Sequence, residues 1–153
     1  MTWKYIAGFF DGEGSICHNG KGFRITIAQT NLEVLNEIQK FAQVGFVFEV
    51  RKRQPHWKDC WIYYIARQQH VHDFLINMLD DLIVKRDQTQ EVIKKLEITL
   101  IQQRQRVELR EYRFEKATEL RKQGLTYRQI GKEINVDFGY IRRLILGKKL
   151  RGG

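Results

Sequence analysis

Nine residues close to the start, Ile6-Ala7-Gly8-Phe9-Phe10-Asp11-Gly12-Glu13-Gly14, restrict the fold of this chain more than any other stretch. Trp3, Ile6, Ala7 and Phe10 recur at helical spacing, and Thr2 is placed to cap the helix they define. Gly8 and Gly12 remove side chains from one face, so a second helix can approach almost backbone to backbone. Gly12 and Gly14 also free the chain to leave the helix, which holds Glu13 at the mouth of that contact. A carboxylate fixed there suits a divalent cation, which prefers hard oxygen ligands.

The rest of the chain reads as an α+β domain followed by a smaller helical module. Ser15–His18 and Phe23–Gln29 are strands around Asn19-Gly20, a dipeptide of tight hairpins. In the second strand Phe23, Ile25 and Ile27 alternate with Arg24 and Thr26, one face for the core and one left open. Asn31 caps a helix to Phe41. Residues 45–53 and 60–67 form a second strand pair, in which Phe46, Phe48 and Val50 are expected on the apolar face and Glu49, Arg51 and Arg53 on the charged one. A helix follows from Val71 to Leu82. This order predicts αββαββα, with helices on one side of an antiparallel sheet and the arginine-bearing side open.

A helix over 87–100 completes a domain of residues 1–100, and the polar stretch 101–112 reads as a helical linker. Within 113–153, Gly124 stops one helix, Thr126-Tyr127-Arg128-Gln129 has the capping-box pattern that starts a second, and Asp137 caps a third after an Asn135-Val136 turn. That is the pattern of a helix-turn-helix, its last helix exposing Tyr140, Arg142 and Arg143 ahead of Lys148, Lys149 and Arg151.

Charge supports this division. Of the net +9, residues 1–112 hold +2 (16 Lys/Arg against 14 Asp/Glu) and residues 113–153 hold +7 (11 against 4). A basic excess so concentrated points to a polyanion, and a basic helix carrying an aromatic suits major-groove docking with phosphates on either side. Two cysteines are too few for a disulfide scaffold. The absence of a long apolar run or leader predicts a soluble intracellular protein, in cytoplasm, nucleoid or an organelle, with no membrane partner. His56, Cys60, His70 and His72 lack paired zinc-ligand spacing, and no phosphate loop or nucleophile elbow is present.

The string Ile6–Gly14 resembles the LAGLIDADG motif of homing endonucleases, and the resemblance extends over residues 3–100. It implies that Glu13, standing where the family more often has aspartate, holds Mg²⁺ (or Mn²⁺) together with the backbone carbonyl of Gly12. It implies that Gln29, at the end of the second strand, positions water, and that Lys85 stabilises developing charge. Asp11 matches another acid of the motif and is assigned no catalytic role. One motif per chain implies a homodimer whose interface is built on Ile6, Ala7, Gly8, Phe10 and Gly12. Arg24, Thr26, Arg51 and Arg53 are then expected along the major groove of double-stranded DNA, with Tyr140, Arg142, Arg143 and Lys148 adding contacts from the carboxyl-terminal module.

The implied activity is site-specific, metal-dependent double-strand cleavage of DNA at a long near-palindromic target. Two alternatives are a transcription regulator on the same scaffold and an RNA maturase that binds host intron RNA.

Overall fold

The computed structural model describes residues 1–149 except Arg53 and Pro55, and for residues 148 and 149 the backbone alone. Arg53 and the Lys148 side chain, both expected on the DNA-binding surface, lie outside the described residues. Two compact units are present, residues 1–100 and 101–153.

In unit 1, α1 (Trp3–Glu13) starts where Thr2 Oγ1 accepts the Tyr5 amide at 3.2 Å. It runs into β1 (Gly14–His18) without a loop. The junction needs glycine, because a Cβ on Gly14 would stand 2.0 Å from the Phe10 ring. β2 (Phe23–Gln29), α2 (Leu32–Ala42), β3 (Phe46–Glu49), β4 (Trp61–Ile65) and α3 (Gln68–Met78) follow, then a short 3₁₀ turn at Leu79–Asp81.

The β1–β2 connection is wider than the dipeptide Asn19-Gly20 suggests. Gly20 has φ +81° while Asn19 does not enter the left-handed region. Instead Asn19 Oδ1 accepts the amides of Lys21 and Gly22, both at 3.1 Å, making a four-residue side-chain-closed loop.

The sheet is antiparallel throughout, in the order β1-β2-β4-β3. Its helix-side face supplies Ile25, Ile27, Tyr63 and Ile65 to a core completed by Ile6, Ala7, Phe10, Leu35, Ile38, Val71, Phe74, Leu75 and Met78. Phe74 is the centre of an aromatic group, with the rings of Trp3, Tyr63 and Phe10 at 5.5, 5.9 and 6.4 Å.

The expectation for β3 is overturned. Val47 sits opposite Tyr63 and packs on the core, whereas Phe46 and Phe48 point to the open side and are 52% and 41% exposed. Alternation shows which residues share a face. The pairing with β4 decides which face is buried.

α4 spans Arg86–Lys122, so the expected helices on either side of 101–112 and the stretch between them are one helix. Its first part adds Val92, Ile93 and Leu96 to the core of unit 1, and residues 101–112 are exposed all round. No helix among the described residues is long and apolar enough to cross a membrane.

In unit 2, the end of α4, α5 (Tyr127–Glu133) and α6 (Phe138–Lys149) enclose Ala117, Leu120, Ile130, Ile141 and Ile145. The capping box is complete: Thr126 Oγ1 accepts the Gln129 amide at 3.3 Å, and Gln129 Oε1 accepts the Thr126 amide at 2.8 Å. Asn135 takes φ +51° in the turn before α6.

That turn folds directly onto α5, where a Cβ on Gly131 would meet the Val136 carbonyl oxygen at 2.7 Å. Gly131→Ala should therefore cost unit 2 about 1–2 kcal/mol through overpacking. The expected reading is loss of helical ellipticity at lower urea while the tryptophan fluorescence transition stays put, since Trp3, Trp57 and Trp61 all lie in unit 1. Coincident shifts of both signals, or none, would contradict it.

Candidate functional site

The carboxyl end of α1 gathers the chemistry of unit 1. Glu13 is the last helical residue, and its carboxylate is exposed with no hydrogen bond or ion pair among the described residues. Gly14, the next residue, pairs with Ile27, so Glu13 and Gln29 stand at the same end of the sheet. Gln29 Oε1 accepts from the Thr30 amide at 2.8 Å and the Thr30 hydroxyl at 3.3 Å. Its amide nitrogen has no partner among the described residues. The amino end of α2 is served by Asn31, whose Oδ1 accepts the Glu33 and Val34 amides at 3.0 and 3.4 Å. Gln29 is thus not the helix cap.

Lys85 reaches this corner from the other end of unit 1. Its Nζ donates to the backbone carbonyl of Asp11 and stands 5.9 Å from the centroid of the Phe10 ring. Asp11 holds it there: its carboxylate accepts three successive backbone amides, Ile83 at 2.7 Å, Val84 at 3.1 Å and Lys85 at 2.9 Å. These residues immediately precede α4, where a negative charge is favoured by the helix dipole and its unpaired amides. Burial pushes the Asp11 carboxyl up, but the amides of Ile83, Lys85 and Val84 and the Lys85 charge outweigh it, and the net shift is below the ordinary carboxylate value. Sequence reasoning gave Asp11 no role. Its acidity was visible there, but its partner segment lies more than 70 residues away.

The open face of the sheet is less basic than expected. Ser15 and Cys17 of β1, Arg24, Thr26 and Ala28 of β2, Ile62 and Tyr64 of β4, and Phe46 and Phe48 of β3 share it by register. Arg24 is its one arginine among the described residues, with Nε buried and unpartnered. Arg51 is exposed but lies past the end of β3, near Lys52, which is paired with Asp59.

The expected helix–helix interface also changes. Ile6, Ala7 and Phe10 are completely buried within unit 1, so they cannot meet a second copy. A helix of this length has one apolar stripe, and the sheet and α3 take it. The opposite side exposes Tyr5, Gly8 and Gly12; among the described residues, nothing beyond the helix's own neighbouring atoms lies within 4 Å of where a Cβ would stand on either glycine. Tyr5 stacks on Phe9 at 6.1 Å along that side.

In unit 2, Arg142 and Arg143 are exposed on α6, but Tyr140 is not part of that face. It is half-buried against the unit's core, with the Arg113 guanidinium 5.9 Å from its ring. The helical phase that exposes Arg142 and Arg143 turns Tyr140 inward beside Ile141 and Leu144. Phe138 takes the outward position at the start of α6, with Arg128 over its ring at 5.5 Å.

Residues 3–79 match the family model described as LAGLIDADG-like domain, a span that contains Glu13 and Gln29 and ends before Lys85. No curated protein matches the chain significantly. Among solved structures, the chain resembles an archaeal intron-encoded homing endonuclease, I-Vdi141I, complexed with DNA, at 19% identity and TM-score 0.50 over 97% of this chain and 96% of that one. It resembles the meganuclease I-AabMI bound to uncleaved DNA at 17% identity and TM-score 0.52, over 76% of this chain and 44% of that one. The homing endonuclease I-CvuI, in complex with its target in the presence of calcium, is matched at 23% identity and TM-score 0.50 over 62% of this chain. The match spans 65% of the I-CvuI chain. At these identities the likeness is one of fold.

Proposed function

Because this chain belongs to the LAGLIDADG-like domain family, we propose that it is a site-specific endonuclease of double-stranded DNA. The observation that carries the reading is the corner at the end of α1: an exposed Glu13 carboxylate, unpartnered among the described residues, on the helix end where Lys85 is held by the Asp11 carbonyl. A pure DNA-binding protein gains nothing from an acid placed next to phosphates, whereas metal-assisted hydrolysis requires one.

The donor chemistry fits Mg²⁺ or Mn²⁺. Glu13 and the Gly12 carbonyl are hard oxygen ligands, and Asp11, occupied by three amides, is not available as a third. No group of three His, Cys, Asp or Glu among the described residues forms a metal cluster, so phosphate oxygens, water and a second copy of the chain would complete the shell. A bound divalent ion supplies Lewis-acid polarisation of the phosphate and a more acidic water. Gln29, whose amide nitrogen has no partner among the described residues, would orient that water. Lys85 places its ammonium against the charge that develops on the phosphate, and Asp11 is the positioning residue that holds it.

The assembly proposed is a homodimer, which supplies the second acid and matches a target with two related halves. Its interface is the bare side of α1, Tyr5, Gly8 and Gly12. Gly8→Leu should disrupt it without touching the monomer's core, since, beyond the helix's own neighbouring atoms, no described residue lies within 4 Å of a Cβ built there. Light scattering should give twice 18.3 kDa for the wild type and 18.3 kDa for the variant. A dimeric variant would place the contact elsewhere.

Unit 2 acts as a helix-turn-helix, with Arg128, Arg142 and Arg143 facing DNA; the close α5–turn contact at Gly131 and the basic excess of the last 41 residues support this. The test of the whole reading is incubation of a large duplex library with Mg²⁺ and sequencing of the ends. Recurrent staggered ends at one near-palindromic sequence are expected. Duplex binding with no cutting would favour a regulator, and preferential retention of intron RNA would favour a maturase.

A further inference from the structure

We infer that the β3–β4 half of the open sheet face reads the C5-methyl groups of pyrimidines in the major groove. This rests on the reading of the chain as a DNA endonuclease and adds what part of the target it recognises. Phe46, Phe48 and Tyr64 form a contiguous aromatic cluster with ring centroids 5.2–6.3 Å apart. They lie on the surface that the helices of unit 1 leave uncovered.

The register arranges the face in rows. The row nearest Glu13 is Ala28, Ile62 and Phe48, three side chains without a hydrogen-bonding atom. The next is Ser15, Thr26, Tyr64 and Phe46, and Cys17 and Arg24 lie beyond. A row with no donor or acceptor cannot distinguish base edges by hydrogen bonding. The one feature of the major groove it can match is the methyl group that thymine presents and unmodified cytosine lacks.

Duplex DNA is the occupant favoured by the same surface. Arg24 keeps a buried, unpartnered Nε on it, and Glu13 and Gln29 stand at its end, where the backbone would be cut. Phe46 and Phe48, exposed and in ring contact with each other and with Tyr64, suit a contact surface.

The probe is a library of random 30-base-pair duplexes made in three versions: with thymine, with uracil replacing thymine, and with 5-methylcytosine replacing cytosine. The 153-residue protein should retain the uracil version less well, by roughly fourfold for each methyl contacted, the equivalent of one buried CH₂. The 5-methylcytosine version should recover additional sequences in which modified cytosine replaces thymine, separating the two sources of the methyl group. The F46S/F48S variant, altered only at exposed positions, should still bind duplex but with a thymine-to-uracil ratio near one. A single F48S variant, checked by tryptophan fluorescence, covers the case in which the double variant misfolds.

Equal retention of thymine and uracil versions by the wild type would overturn methyl reading and leave the endonuclease assignment standing, as would an unchanged ratio in both variants. Failure to retain or cut any of the libraries would overturn the endonuclease reading and this inference with it.

Discussion

Glu13→Gln should abolish cleavage, lowering the single-turnover rate by about 10³-fold or more, while duplex binding survives. The change is isosteric and removes one negative charge. An amide is a poor ligand for a hard cation, and the several kcal/mol that a metal contributes to phosphoryl charge stabilisation are lost with it. The fold should not notice, because the carboxylate is exposed and makes no hydrogen bond or ion pair among the described residues. A surface change of this kind moves stability by less than about 0.5 kcal/mol. Removing an anion from beside the phosphates should leave DNA affinity equal or slightly higher. Cleavage retained by pure E13Q protein would remove Glu13 from the reaction.

Asp11→Ala should be felt both in stability and in rate. Three amides lose a charged acceptor at once, and water replaces it only in part, so a cost of about 1–3 kcal/mol is expected. The segment it anchors carries Lys85, so the rate at saturating DNA should fall by roughly 10²-fold, the scale of losing one preorganised donor, with little change in binding. A merely structural role would lower the amount of active protein and leave the rate per active site unchanged.

The acid limb gives an independent check. The folded Asp11 carboxyl lies below its ordinary value, so the folded state binds its proton less readily than the unfolded chain does. The resulting stability is fully present above the unfolded value of about 3.9 and drains away as pH falls through the lower folded value. Urea midpoints of wild type and D11N between pH 6 and pH 2.5 should differ most at the upper end and converge at the lower. Asp73 is also shifted downward, its hydrogen bonds from His72 and Gln69 and the charges of His72 and His70 outweighing burial, but it contributes equally to both proteins. A constant gap between the two curves would show that the Asp11 charge does not hold the segment.

Short-range signals explain what was legible in the sequence. The spacing of Trp3, Ile6, Ala7 and Phe10, the alternation in Phe23–Gln29, Asn31 as a cap and the Thr126–Gln129 capping box each concern residues within one or two turns of one another. They determine local dihedrals and which side chains share a face, and so the order αββαββα with an acid at the end of the first helix.

Periodicity carries no sign, however. It groups Phe46 with Phe48, and Ile6 with Phe10, without saying whether the group meets the core, water or another molecule. Phe46 and Phe48 were expected inside and lie outside; Ile6, Ala7 and Phe10 were expected between two copies and lie inside one. Tyr140 was expected on the basic face of α6 and packs inward.

By itself, then, the sequence determined the order of most helices and strands, which side chains share a face, and the glycine-framed acid of α1, because those follow from nearest neighbours along the chain. The tertiary structure alone decided the strand order β1-β2-β4-β3, the side of the sheet that stays open, and the Asp11 clamp on Lys85. Each of these depends on contacts between segments distant in sequence, and such contacts leave no pattern in either segment taken alone.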